Sequence, residues 1–287
     1  MANSIRSIIK QRMILIPVLV ILLGVAVYFA SFLPTADWYA TFDPAARGVF
    51  SGHSPYEQVT YIYPPWGVLP LFPIVLFPPM LAHGLMFVTS TLILIYITWR
   101  LGASPLTAAA FFLSPTVIGA LLVSNIDPMV ISGIFLPPVW GLFILMIKPQ
   151  IGIGVAFYYL LDTWKKWRFW GAVRVFAPIA IAYLVAALLF PVWIERMIRN
   201  PQIVWNRSLF PYTIPVGLFF MWLSVRRKNP YFALAAGLFF APYYSFYSYI
   251  TVQIAFLHKD VEKYIRRDVL QIILAVFLWV VMLVFRL

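Results

Sequence analysis

Residues 34–66 read PTADWYATFDPAARGVFSGHSPYEQVTYIYPPW, the longest polar interval in a chain whose remainder is nearly all apolar. The interval holds Asp37, Asp43, Arg47, His53 and Glu57, a large share of the few ionisable groups outside short basic turns. A loop of this kind needs a scaffold that keeps it at an aqueous face. The sequence on either side of it supplies one.

The 287 residues are 63% hydrophobic and 10% charged, with a mean hydropathy of +0.91, whereas soluble domains carry about 25% charged residues. A helix needs about 20 mostly apolar residues to cross the hydrocarbon core. Setting the polar loops aside leaves room for about ten or eleven crossings. The expectation is an all-α, polytopic membrane protein forming one integral membrane domain over residues 1–287, with a short helix in its first extracytoplasmic loop. The net charge of +12 comes from short basic clusters between apolar segments. That pattern fits loops anchored on the cytoplasmic side and excludes a nucleic-acid surface. With no cysteine, neither a disulfide framework nor a thiolate metal site is available.

The topology follows from the basic clusters. Residues 13–33 come after Arg6, Lys10 and Arg12. Their apolar run is longer than a signal-peptide core and no small-residue cleavage pattern precedes Asp37, so they read as a retained first helix with a cytoplasmic N-terminus in the plasma (inner) membrane. The loop 34–63 is then extracytoplasmic. Residues 64–79 return inward as a short, proline-rich segment, 80–99 lead out and 105–123 cross again. Residues 128–140 and 141–161 bring Lys165, Lys166 and Arg168 to the cytoplasm, and 170–190 lead to a second extracytoplasmic loop, 191–208. Residues 209–225 return to the triplet Arg226, Arg227 and Lys228, and 231–257 divide near Pro242 into two helices meeting at the outer face. Residues 269–285 form the last crossing. His83 and His258 fall in turns near the cytoplasmic face.

Within the first loop, Asp43-Pro44 and Gly52 frame a short helix, with aspartate at the N-cap, proline at the first position and glycine past the end. Asp37 has no such structural duty. It is either a solvated carboxylate or one aimed into a cavity at membrane level, suited to act as a general base. Glu57 is a candidate second carboxylate, and His53 a loop residue. Arg196, Arg199 and Arg207 in the second outer loop can hold a phosphate through guanidinium forks or contact anionic headgroups. Lys148 lies within an apolar span, where an ionisable group implies a buried partner or snorkelling to the interface. No histidine pair or acidic cluster has metal-ligand spacing, and no glycine-rich phosphate loop or nucleophile elbow is present. The chain therefore reads as having no metal site and no nucleotide cofactor.

Taken in order, Asp37, then Pro44-Ala45-Ala46-Arg47, Gly52-His53-Ser54-Pro55-Tyr56 and Tyr61-Ile62-Tyr63-Pro64-Pro65 resemble the N-terminal signature of the C-type glycosyltransferases of family 87. Asn125 with Asp127, Lys148-Pro149-Gln150, Asn206-x-Ser208 and Ala241-Pro242-Tyr243 continue the match in sequence order. The resemblance covers Asp37 to about Tyr249. It implies a GT-C-like fold, catalysis on the extracytoplasmic face and a polyprenyl-phosphate sugar, mannose-like, as donor, with no further cofactor. Carried over by position, Asp37 takes the place of the base that deprotonates the acceptor hydroxyl, Lys148 that of the family lysine and Arg47 that of the loop-helix arginine. Tyr63, Gln150, Asn206, Arg207, Arg199 and Glu57 are the further substrate-binding candidates. After Pro242 the chain reads YYSFYSY, where relatives place an aspartate or histidine. The partners so implied are membrane lipids, the lipid-linked sugar and a membrane protein partner. Two other readings stand beside the enzyme: a catalytically silent scaffold or complex subunit, suggested by the short length and the YYSFYSY stretch, and a lipid or solute transporter, suggested by the proline-interrupted spans.

Overall fold

The structure is a computed structural model, and it describes residues 20–33, 35–199, 205–263 and 265–285. All regular structure among these residues is helical. The basic cluster Arg6, Lys10 and Arg12, on which the N-terminal orientation rests, lies outside them.

In chain order the helices are α1 (Val20–Ala30), α2 (Asp43–Phe50), α3 (Phe72–Val75), α4 (Pro79–Arg100), α5 (Pro105–Phe112), α6 (Pro115–Leu122), α7 (Asp127–Ser132), α8 (Pro138–Leu145), α9 (Pro149–Leu189), α10 (Pro191–Arg199), α11 (Ile214–Arg227), α12 (Pro230–Phe239), α13 (Ile250–Leu257) and α14 (Arg267–Phe285). Most of them carry a proline in the first turn. Pro44, Pro79, Pro105, Pro115, Pro128, Pro138, Pro149 and Pro230 all occupy the first turn of a helix. There the missing N–H has no partner to lose and the fixed φ suits the helix. The prolines therefore act as starts, and much less as interruptions of spans.

Among the described residues three helices are long and apolar enough to cross a membrane, α4, α9 and α14, or four if α5 and α6, bent by 59° at Ser114-Pro115, count as one span. The ten or eleven crossings expected from hydropathy are thus not built as that many spanning helices; much of the apolar sequence forms helices of eight to ten residues. The 41-residue α9 is really two legs, because Arg168 adopts φ 56°, ψ −149°. The turn sits where the cluster Lys165, Lys166 and Arg168 put it. The first leg runs about 28 Å at 1.5 Å per residue, and the second returns beside it, its Tyr183 hydroxyl donating to the Met146 carbonyl at 2.7 Å.

Contacts fix which ends lie together, and here two expected passages fail. The stretch 64–79 does not carry the chain away from the first loop: Arg47 of α2 donates to the carbonyls of Val75 and Phe77 at 2.8 and 2.7 Å. This segment is a 3-10 turn, Pro65–Leu71, followed by the four residues of α3, too short to cross. Consequently α4 begins at the Asp37 end. Its Gly84 packs on the Val27 carbonyl of α1, and His83 lies 5.7 Å from the ring of Tyr39, at the end opposite to the one expected. The chain reaches the far end at Arg100, where Arg267 donates to the carbonyls of Leu101 and Leu257. Likewise 128–140 does not cross. The two short helices α7 and α8 form a hairpin whose ends are both at the Asp37 centre, with Gly133 against the Gly141 carbonyl where its arms meet.

The first leg of α9 is set against α12 by two glycines. A Cβ on Gly154 would overlap the Ala233 carbonyl, and one on Gly237 would press on the carbonyls of Gln150 and Ile151. Small residues at such a crossing let two backbones approach closely. This contact fixes the height of Lys148, one residue before α9 starts.

Candidate functional site

Asp37 opens a single π-helical turn, Trp38–Phe42, that runs directly into α2. The turn is nailed down by Trp38, fully buried, and by Thr35, whose hydroxyl donates to the Val123 carbonyl at 2.8 Å. That last bond brings the end of α6 to the Asp37 loop. Asp43 does not cap α2 as expected. The N-cap position is Phe42, with no side-chain bond, and Asp43 instead pairs with Arg47 one turn on, at 2.9 Å. Gly52 does take the positive φ, +80°, expected past the helix end.

Asn125 is the hub of the centre. Helix α6 ends in a left-handed residue, Ser124 at φ 50°, with Ser124 and Asn125 amides returning to the Leu121 and Ala120 carbonyls. A non-glycine residue in this region costs about 1–2 kcal/mol; here it aims Asn125 inward. The Asn125 amide nitrogen donates to Asp37 Oδ2 at 2.5 Å and to the Tyr247 hydroxyl at 2.7 Å. Its carbonyl oxygen accepts from Lys148 Nζ at 2.7 Å and from the Asp127 backbone amide at 3.0 Å. The Tyr247 hydroxyl in turn donates to Asp37 Oδ2 at 2.9 Å. An amide can join a cation to a carboxylate in this way because it offers two donors and an acceptor.

Behind Asn125, Lys148 Nζ pairs with Asp127 Oδ1. Both are buried, at 2% and 0% exposure, and the other Asp127 oxygen accepts from the Ser248 hydroxyl at 3.1 Å. The ammonium also lies 5.2 Å from the Tyr63 ring and 5.8 Å from that of Tyr247. Burial, and then the nearby carboxylate of Asp37, push the Tyr63 hydroxyl well above the usual tyrosine range, so it stays protonated. Lys148 thus has the buried partner expected of an ionisable group in an apolar stretch.

Of the residues singled out in the sequence, the structure brings Asp37, Tyr63 and Lys148 into one centre. Gln150 lines an adjoining cavity of about 300 Å³ with Tyr63, Pro64, Trp193, Met197 and Tyr243. Asn206 braces the YYSFYSY stretch, donating to the Pro242 carbonyl at 3.0 Å and accepting from the Tyr244 amide at 3.3 Å. Arg207 lines a larger, mostly apolar groove of about 540 Å³ running along α13 and α14 to Phe285. Three candidates lie elsewhere. The Arg47 guanidinium is spent on Asp43 and the two carbonyls that hold 64–79 back. Glu57 is exposed and closes a capping box with Ser54. Arg199 is exposed and pairs with Glu195 at 3.2 Å. Arg196, weighed with it, donates to the Gln58 carbonyl at 2.5 Å.

Asn125 and Asp127 carried a signal, polar residues set into an apolar run, but were not assigned a role. Tyr247 and Ser248 had none, since nothing in YYSFYSY distinguishes one hydroxyl from the next. The stretch that looked depleted supplies a donor to each carboxylate of the centre.

No family model, curated protein or solved structure matches this chain.

Proposed function

We propose that the chain is a membrane glycosyltransferase of the GT-C type that moves a mannose-like sugar from a polyprenyl phosphate to an acceptor hydroxyl on the extracytoplasmic side. The observation that carries this reading is a carboxylate held from one side only. Asp37 Oδ2 accepts from Asn125 and Tyr247, while its side chain remains partly exposed. Two bonds to one oxygen orient the group and leave the other free to take a proton.

In the proposed reaction Asp37 removes the acceptor proton as that oxygen attacks the anomeric carbon, the carbon–oxygen bond to phosphate breaks, and the polyprenyl phosphate leaves with the electron pair. Inversion follows from a single displacement. Lys148 does not touch the reactants; paired with Asp127 and bonded to Asn125, it positions the amide that holds Asp37. The apolar groove along α13 and α14 has the character needed for a polyprenyl chain, and Arg207 at its rim supplies a guanidinium for the departing phosphate. Under the same reading the Asp37 end faces outward and the Arg168 and Arg267 end faces the cytoplasm, as the basic residues there require.

The test is transfer from radiolabelled polyprenyl-phosphate sugars in membranes carrying wild-type protein or Asp37→Asn. Asparagine keeps the shape and removes the base, and a loss of about 10²–10⁴-fold is expected. Equal transfer by both proteins removes Asp37 from the chemistry. No transfer by the wild type with several sugar donors favours the scaffold reading.

A further inference from the structure

At the end of the molecule away from Asp37, the turn of α9 carries Trp164, Lys165, Lys166, Trp167, Arg168, Phe169 and Trp170 in seven consecutive positions. The indoles of Trp167 and Trp170 are 63% and 77% exposed. Within a bundle this would be an odd surface to leave bare; at a membrane interface indole rings sit at headgroup level.

Arg174 makes the segment more specific. It lies six residues beyond the Arg168 turn on the returning leg, about 9 Å back toward the bilayer centre at 1.5 Å per residue. It is exposed, and among the described residues it has no hydrogen-bond or ion-pair partner. With Trp167, Trp170, Gly171 and Val175 it lines a groove of about 450 Å³ closed on its other side by Pro138 and Val139, at the tip of the α7–α8 hairpin. Gly171 makes room for Trp167, whose side chain a Cβ at that position would overlap. A guanidinium at this depth, on a lipid-facing surface, needs an anionic oxygen from outside the chain.

We propose that this groove binds the phosphate headgroup of an anionic phospholipid in the leaflet opposite the Asp37 centre. Arg174 takes the phosphate through its fork, the indoles of Trp167 and Trp170 flank the glycerol region, and Lys165 and Arg168 at the turn supply the field that favours an anionic over a zwitterionic lipid. The proposal requires the chain to be in a membrane and is independent of any sugar transfer.

The full chain, purified in neutral detergent, is titrated with phosphatidylglycerol, phosphatidylcholine and inorganic phosphate, and bound lipid is counted by native mass spectrometry. Wild type is expected to hold one phosphatidylglycerol at least about tenfold more tightly than phosphatidylcholine, from roughly a kcal/mol per basic residue. Arg174→Gln is expected to lower the phosphatidylglycerol affinity about fivefold or more, and Arg174→Lys by less, since the charge is kept while the fork is lost. Equal affinity for the two lipids, or unchanged phosphatidylglycerol binding by Arg174→Gln, overturns the site. Displacement of the lipid by millimolar inorganic phosphate overturns the lipid assignment. Should Arg174→Gln not fold, Trp170→Ala reads the same groove from an exposed position, and unaltered lipid affinity in that variant counts against the proposal.

Discussion

Replacing Lys148 by methionine removes the cation of the Asp37 centre and leaves Asp127, at 0% exposure, with the Ser248 hydroxyl as its remaining side-chain partner among the described residues. Breaking a buried pair from one side costs about 3–5 kcal/mol, because the surviving charge has neither water nor a counterion. Asp127→Leu strands Lys148 on the Asn125 carbonyl and is expected to cost a similar amount. The double variant, Lys148→Met with Asp127→Leu, strands no charge. It loses the bonds to Asn125 and Ser248, each about 1 kcal/mol, so its total cost is about 1–3 kcal/mol. The expected coupling between the two positions is therefore at least about 3 kcal/mol. It is measured by unfolding the micelle-embedded protein with SDS and following tryptophan fluorescence and far-ultraviolet circular dichroism. Single-variant costs that add to within about 0.5 kcal/mol would show that the two charges do not sense each other, and the ion-pair account of the centre fails.

Tyr247→Phe deletes a hydroxyl that donates to Asp37 and accepts from Asn125; transfer should fall about tenfold with a stability loss near 1 kcal/mol, and wild-type transfer rates in this variant contradict the assigned positioning role. Gly154→Val drives a side chain into the Ala233 carbonyl at the α9–α12 crossing, and a loss of about 1–3 kcal/mol is expected in the same unfolding assay; unchanged stability means the helices do not meet there. Orientation is testable because the chain lacks cysteine. His53→Cys, in the exposed turn after α2, should react with an impermeant maleimide from outside intact cells, and Lys165→Cys only after permeabilisation. The reverse pattern inverts the molecule.

Composition and basic clusters were enough to read an all-helical chain with a polar first loop, and to place the α9 turn at residues 165–168. Asp37 and Lys148 were legible as candidates because each is an ionisable group without an evident structural duty, Asp37 in the polar loop and Lys148 within an apolar span. Direction was harder. Hydropathy treats 64–79 and 128–140 as spans because it registers apolar length, whereas the fold of these segments depends on contacts distant in sequence: Arg47 on the Val75 and Phe77 carbonyls, and Lys148 on Asp127. The second of these left a trace. Opposite charges flank an apolar stretch with Pro137-Pro138 near its middle, as expected of a hairpin that returns to its origin. The role of Asp43 was misread for a related reason, since its N-cap signal presumed that a helix begins there, and the π-helical turn from Trp38 had already begun one.

The α7–α8 hairpin also bears on how such a chain is made. Asp127 and Lys148 are 21 residues apart, close enough to emerge from the ribosome in close succession. A lone aspartate or lysine delivered to the bilayer core meets a penalty of about 2.5–3.5 kcal/mol at the point of insertion. Entering together on one short hairpin, the two are neutralised by each other. The remaining polar members of the centre, from YYSFYSY, arrive about a hundred residues later, by which time the charges they attend are already settled.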